Sequence, residues 1–156
     1  MKKFKSYFVF IVISVLTGLL SALFTMNNMN IYSEIAVPVY APPAILFPIV
    51  WTILYILMGI SAGLVFNSDA EINAKRSSLT TFFLSLLVNF FWSIIFFNVR
   101  NFILAFVWIV LLWVLILVTI IKYYKINKAA AFLQIPYLLW VTFATVLTFG
   151  ILLLNK

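Results

Sequence analysis

FILAFVWIVLLWVLILVTII, residues 102–121, runs for twenty residues without an Asp, Glu, Lys or Arg. A bilayer's hydrocarbon core is ~30 Å thick and takes ~20 residues of helix to cross. The run is apolar all round, with no polar stripe to turn toward water. It also lacks the ~10-residue alternating pattern of a barrel strand. Working outward, four more runs without a charged residue qualify, at about residues 7–26, 44–66, 79–97 and 130–154. The expected fold is therefore an all-α membrane protein, a five-transmembrane-helix bundle forming a single domain over residues 1–156.

The composition agrees. Of the 156 residues 67% are hydrophobic and 8% charged, against about half and about a quarter in soluble globular domains. A chain this short cannot hide so much apolar surface from water, so lipid is its natural solvent.

The connectors carry the charges. With five spans, Lys2, Lys3, Lys5, Lys75, Arg76, Lys122, Lys125 and Lys128 fall on one side, and Arg100 and Lys156 on the other. Positive residues collect on the cytoplasmic side. The expected topology thus has the N-terminus in the cytoplasm and the C-terminus outside, in a bacterial cell membrane. The first run also resembles a signal peptide, because Lys2 and Lys3 precede it. It is long for a signal core and no small-x-small cleavage site follows, so a retained span is expected. Residues 27–43 form the long connector, with Asn27, Asn28, Asn30, Pro38, Pro42 and Pro43. Long loops are often lids or binding loops.

Several chemistries lack their residues. There is no Cys and no His, and Glu34, Asp69 and Glu71 are the only carboxylates. No metal site and no resident cofactor are expected. Hydrolytic acid–base chemistry is short of groups. No titratable carboxylate or base lies within a span, which argues against a proton-coupled carrier. The net charge of +7 lies in short connectors and reads as topology control, so no nucleic-acid partner is expected.

Some residues stand out within the spans. Phe47, Trp51, Tyr55 and Met58 share one helical face, as lipid-facing or core aromatics or as a pocket wall. Gly59 and Gly63 form a GxxxG pair, which permits close helix approach within the chain or between protomers of a possible homodimer. Asn89, Trp92, Ser93 and Phe96 share a face of the third span. Asn89 is a strongly polar group deep in the hydrocarbon, so it marks either a cavity or an interhelical hydrogen bond. If it faces a cavity, Asn89→Leu should alter ligand affinity more than stability. In the fifth span, Pro136 bends the helix or sets its start. Tyr137 and Trp140 belong to an interfacial aromatic belt or to a pocket. VTIIKYYK at residues 118–125 fits a proposed sterol pattern, with plain interfacial anchoring by Tyr123, Tyr124 and Lys125 as the simpler reading.

Three of these stretches together resemble the tryptophan-rich sensory protein or translocator protein family, also called peripheral benzodiazepine receptors (TspO/MBR). They are PVYAPPAILFPIVWTILYILMG at 38–59, VNFFWSIIFF at 88–97 and IPYLLWVTFATVLT at 135–148. The resemblance covers most of the chain. It implies five helices around a pocket for flat hydrophobic ligands: porphyrins and haem-type tetrapyrroles, sterols and benzodiazepine-like compounds. By matched position it implies that Trp51, Asn89, Trp92 and Trp140 line the pocket and that Pro42 and Pro43 shape its lid, and Tyr40, Phe47, Phe96, Tyr137 and Ala144 are further ligand-binding candidates. It also implies dimers. The sequence departs from the family at Tyr40, where Trp is usual, at Trp108, where an acidic residue is common, and at Thr148, where Asn is usual. The family's terminal sterol motif is absent, since residues 152–156 read LLLNK.

Three functions fit these features. The first is a receptor or sensor that binds a porphyrin or haem-type ligand between helices. The second is a light- and oxygen-dependent porphyrin-degrading enzyme, for which Trp51 and Trp140 are the catalytic candidates. The third is a structural or chaperone-like membrane component whose ligand binding is incidental.

Overall fold

The apolar runs become five long helices in the computed structural model, which describes residues 2–156. Helix α1 spans Lys2–Thr25 and a single turn, α2, spans Ile31–Glu34. Then follow α3 (Leu46–Phe66), α4 (Ile72–Ile94), α5 (Phe102–Ile126) and α6 (Lys128–Leu154). The five long helices are each long and apolar enough to cross a bilayer, and the protein is an integral membrane protein.

Several helices outrun their apolar cores. Helix α4 starts seven residues before Leu79, so the connector after α3 shrinks from residues 67–78 to residues 67–71. Backbone hydrogen bonding does not stop where hydrocarbon stops, and the polar turn Asn73–Ser78 continues the helix into water. Lys75 Nζ donates to Ser68 O at 3.0 Å, covering carbonyls beyond the α3 C-terminus. Asn101 and Asn127 cap α5 and α6, accepting from Leu104 N and Ala130 N at 3.0 Å each. Pro136 lies two turns inside α6, so it does not set the helix start.

The helices form a closed ring in the order α1, α3, α6, α5, α4 and back to α1. The glycine pair explains the α1–α3 contact. A Cβ at Gly59 would overlap the main chain of Ile11, and one at Gly63 would overlap the Tyr7 ring. Both glycines are therefore covered by α1 of the same chain.

Polarity is inverted relative to a soluble bundle. Leu16, Leu20, Val107, Leu111 and Leu139 face outward, whereas Ser14, Ser61, Ser85 and Thr119 are buried. Most hydroxyls within the helices are satisfied by carbonyls of their own helix, Ser14 Oγ being buried without a partner. Thr17, Thr52, Thr142, Thr145 and Thr148 donate to the carbonyl four residues back at 2.7–2.9 Å. Between helices, Ser61 Oγ donates to Ala130 O at 2.7 Å and accepts from Gln134 Nε2 at 3.2 Å. Trp108 Nε1 donates to Val88 O at 2.8 Å, so the indole in the family's acidic position ties α5 to α4.

Tyr123 departs from the expected interfacial anchor. It is fully buried against Phe82, while Tyr124 is exposed with Lys128 Nζ 5.5 Å above its ring. The sterol-like pattern at residues 118–125 thus presents its first tyrosine inward. The Tyr123 hydroxyl has no hydrogen-bond partner. Removing an unpaired buried hydroxyl removes a desolvation cost of about 1 kcal/mol or more. Tyr123→Phe should therefore hold or raise the thermal unfolding midpoint in detergent. A clear drop in that midpoint would mean that the hydroxyl is bonded in the folded protein.

Candidate functional site

The wall of the site begins on α3. Phe47, Trp51 and Tyr55 recur every four residues, so their rings stack along the inner face of one helix. Trp51 lies against Tyr55 with centroids 5.6 Å apart and planes at 28°. Opposite them α4 contributes Trp92 and Ser93, the wide turn Ile95–Val99 after it contributes Phe97, and α6 contributes Trp140 and Ala144. Helix α1 closes the fourth side with small residues, Gly18, Ser21 and Thr25. Gly18 is required there, because a Cβ would overlap the Tyr55 ring. The result is a cavity of about 280 Å³ in the half of the bundle nearest residues 27–43.

The floor is a buried polar junction. Asn89 is 1% exposed. Its Nδ2 donates to the Tyr55 hydroxyl at 3.2 Å and to the Tyr137 hydroxyl at 3.1 Å. Tyr137 meets the Trp51 ring edge-on, at 71° with centroids 6.1 Å apart. One amide thereby orients two tyrosines, and the tyrosines orient Trp51.

The roof is Tyr32, which stacks on Phe47 with centroids 5.5 Å apart and packs edge-on against Phe97. The chain around it is pinned at several points. Asn28 Nδ2 donates to Asn98 Oδ1, and Asn98 Nδ2 to Phe24 O, both at 2.9 Å. Arg100 adopts a left-handed conformation (φ 56°) after the wide turn Ile95–Val99. That conformation carries strain for a non-glycine residue, and from it Nη1 reaches Glu34 Oε2 at 2.6 Å. Asn155 exchanges a reciprocal pair of bonds with Ala36, at 2.8 and 3.0 Å.

The candidate residues thus fall into three groups. Phe47, Trp51, Trp92, Trp140 and Ala144 line the cavity. Asn89, Tyr137 and Phe96 are buried behind its wall, with Phe96 stacked on Trp92 at 5.3 Å. Tyr40, Pro42 and Pro43 do not line it. Tyr40 instead lies over α6, where its hydroxyl donates to Val146 O at 3.3 Å and its ring crosses Gly150. Arg100 is committed to Glu34 and is not part of the lining. Sequence reasoning missed Tyr32 and the α1 wall. The spacing of Gly18, Ser21 and Thr25 by three and four residues was the available signal, a small-residue face on an otherwise bulky helix.

The lining is mostly aromatic and aliphatic, with the hydroxyls of Ser21, Thr25, Thr52 and Ser93 and no charged side chain. Two indole N–H groups at its edge, Trp92 Nε1 and Trp140 Nε1, are buried without a partner. An unpaired buried donor is costly, and these two N–H groups lie within the packed wall of the cavity rather than on its open face. Among the described residues no His, Cys, Asp and Glu cluster could hold a metal.

Comparison with known proteins gives a consistent result. The TspO/MBR family model matches residues 10–154. The tryptophan-rich protein TspO of Chlorobaculum tepidum is 39% identical over 124 residues, covering 80% of this chain and 78% of that protein. The TspO of Archaeoglobus fulgidus is 36% identical over 143 residues, covering 88% and 89%. The tryptophan-rich sensory protein of Cereibacter sphaeroides is 30% identical, covering 80% and 76%.

Proposed function

The chain belongs to the TspO/MBR family, and on that premise we propose that it is a membrane receptor that binds porphyrin or haem-type ligands in the cavity beneath Tyr32. The observation that carries this reading is the ring-lined cavity itself, with Phe47, Trp51 and Trp140 around an uncharged space. Flat conjugated faces stack on such rings. The cavity is slightly below the ~300–1,000 Å³ usual for enclosed drug-sized ligands. A macrocycle would therefore lie partly within it and partly in its mouth. The Lys-rich end of the bundle faces the cytoplasm, which puts Tyr32 and residues 27–43 outside.

Titration of detergent-solubilised protein with protoporphyrin IX in the dark, followed by tryptophan quenching, tests this. Trp51→Phe and Trp140→Phe should each weaken saturable binding by about three- to tenfold, the size of one lost aromatic contact. Non-saturable quenching, equal in all three proteins, would mean partition into the micelle and would leave the structural or chaperone-like role.

Oxidative turnover is the second reading. It is favoured by the stacking of Trp51 on Tyr55, which puts two oxidisable rings side by side at the ligand. Its signature is a defined bilin-like product under light and oxygen, lost in Trp51→Phe while binding persists.

A further inference from the structure

Along α1 and α3 the glycine contacts and the cavity lining fall in different halves. In the half away from residues 27–43, Gly59 and Gly63 press against Ile11 and Tyr7, and the last such contact is Gly18 against Tyr55. Beyond Gly18 both helices turn residues to the cavity. Leu19 and Ala22 on α1, with Pro48 and Thr52 on α3, line the cavity on one side and are exposed on the outer surface on the other. Leu19 is 55% exposed. All four lie within apolar membrane-spanning runs, so what they are exposed to is hydrocarbon. Two of the cleft's hydroxyls are turned back onto their own helices, with Thr52 Oγ1 donating to Pro48 O at 2.8 Å and Thr25 Oγ1 to Ser21 O at 2.8 Å.

The way in from water is closed by contrast. Tyr32 lies across the top of the cavity, and the chain on either side of it is held to the turn between α4 and α5 through Asn98 and Arg100, and to the end of α6 through Asn155. Loading from that side would require several of these bonds to break together.

We infer that the cavity loads sideways, from the leaflet on the side of residues 27–43, through the cleft between α1 and α3, with the Tyr32 segment acting as a fixed roof. This rests on the reading of the cavity as a ligand site. It narrows the ligand class to molecules that first dissolve in the bilayer and then slide laterally into the protein.

The protein has no cysteine, which makes the route measurable without any ligand. Ser93→Cys places one thiol in the cavity lining. In vesicles it should react with a bilayer-dissolved aromatic maleimide and scarcely at all with a charged, water-soluble methanethiosulfonate. Ala22→Trp, or Leu19→Trp as a second narrowing variant, should slow the maleimide reaction by about tenfold through steric closure of the cleft. Glu34→Gln, which loosens the roof, should leave that rate unchanged. The inference is overturned if the charged reagent reacts as fast as the maleimide, or if Glu34→Gln speeds labelling while both tryptophan variants leave it unaltered. If labelling follows the expected pattern but protoporphyrin does not bind, the proposed ligand class fails and the lateral route stands.

Discussion

Gly59→Leu should leave almost no folded, monodisperse protein in detergent. The Gly59 position is where α3 meets α1 without intervening side chains, and the Ile11 main chain occupies the space a Cβ would need. A backbone cannot rotate away as a side chain can, so the two helices must separate. Helix association in a membrane relies on close packing rather than on expulsion of water, so a gap opened at one crossing is felt along the whole pair. Even Gly59→Ala should cost about 3 kcal/mol, the upper range for overpacking a tight interface. Gly63→Ala should cost less, because its neighbour is the Tyr7 ring, which can shift. Size-exclusion profiles and thermal unfolding of the three variants check the order. A monodisperse Gly59→Leu protein with an unchanged midpoint would show that α1 does not pack there, and would return the glycine pair to the role of a surface between protomers.

The same pair shows which parts of the structure were legible in the sequence. Its spacing predicts close approach of two helices but does not name the partner, because α1, a second copy or any other helix satisfies the same pattern. The five spans themselves were legible, since a bilayer imposes a length and bars charge from it. Their true ends were not. The residues from Ile72 to Ser78 carry Lys75 and Arg76 and look like a connector, yet helical hydrogen bonding continues through them.

In the cavity, Trp51, Trp92 and Trp140 came from motif resemblance, and the structure brings them together with Phe47 and Ala144. The α1 wall lay outside those motifs, and small residues alone carry no chemical signature. The path of residues 38–43 was out of reach for another reason. It is decided by partners about a hundred positions away, such as Tyr40 with Val146 and Ala36 with Asn155. Tyr123 and Tyr124 are adjacent and chemically identical, and only helical phase separates the buried one from the exposed one.

Helical phase also settles what Asn89 does. As a cavity group, its replacement by Leu would act mainly on affinity. The structure puts it beneath the cavity, donating to the Tyr55 and Tyr137 hydroxyls, so Asn89→Leu should act mainly on stability. Leucine nearly preserves the volume but removes the donor to both hydroxyls at once. Each stranded hydroxyl costs ~1–3 kcal/mol in a soluble core, and interhelical hydrogen bonds in membranes average nearer ~0.6 kcal/mol. A combined loss of about 2 kcal/mol is expected. Ligand affinity should fall only about threefold, through Trp51, whose ring rests on Tyr55 and meets Tyr137 edge-on.

The decisive comparison is rescue. Asn89→Leu combined with Tyr55→Phe and Tyr137→Phe leaves no polar atom unpaired at the junction, and it should recover much of the lost stability, because removing all the partners costs far less than removing one. Thermal unfolding of the single and triple variants, beside porphyrin titrations of both, separates the two roles. An Asn89→Leu protein as stable as wild type that no longer binds ligand would mean that the amide reaches the ligand itself and that the cavity extends below Tyr55.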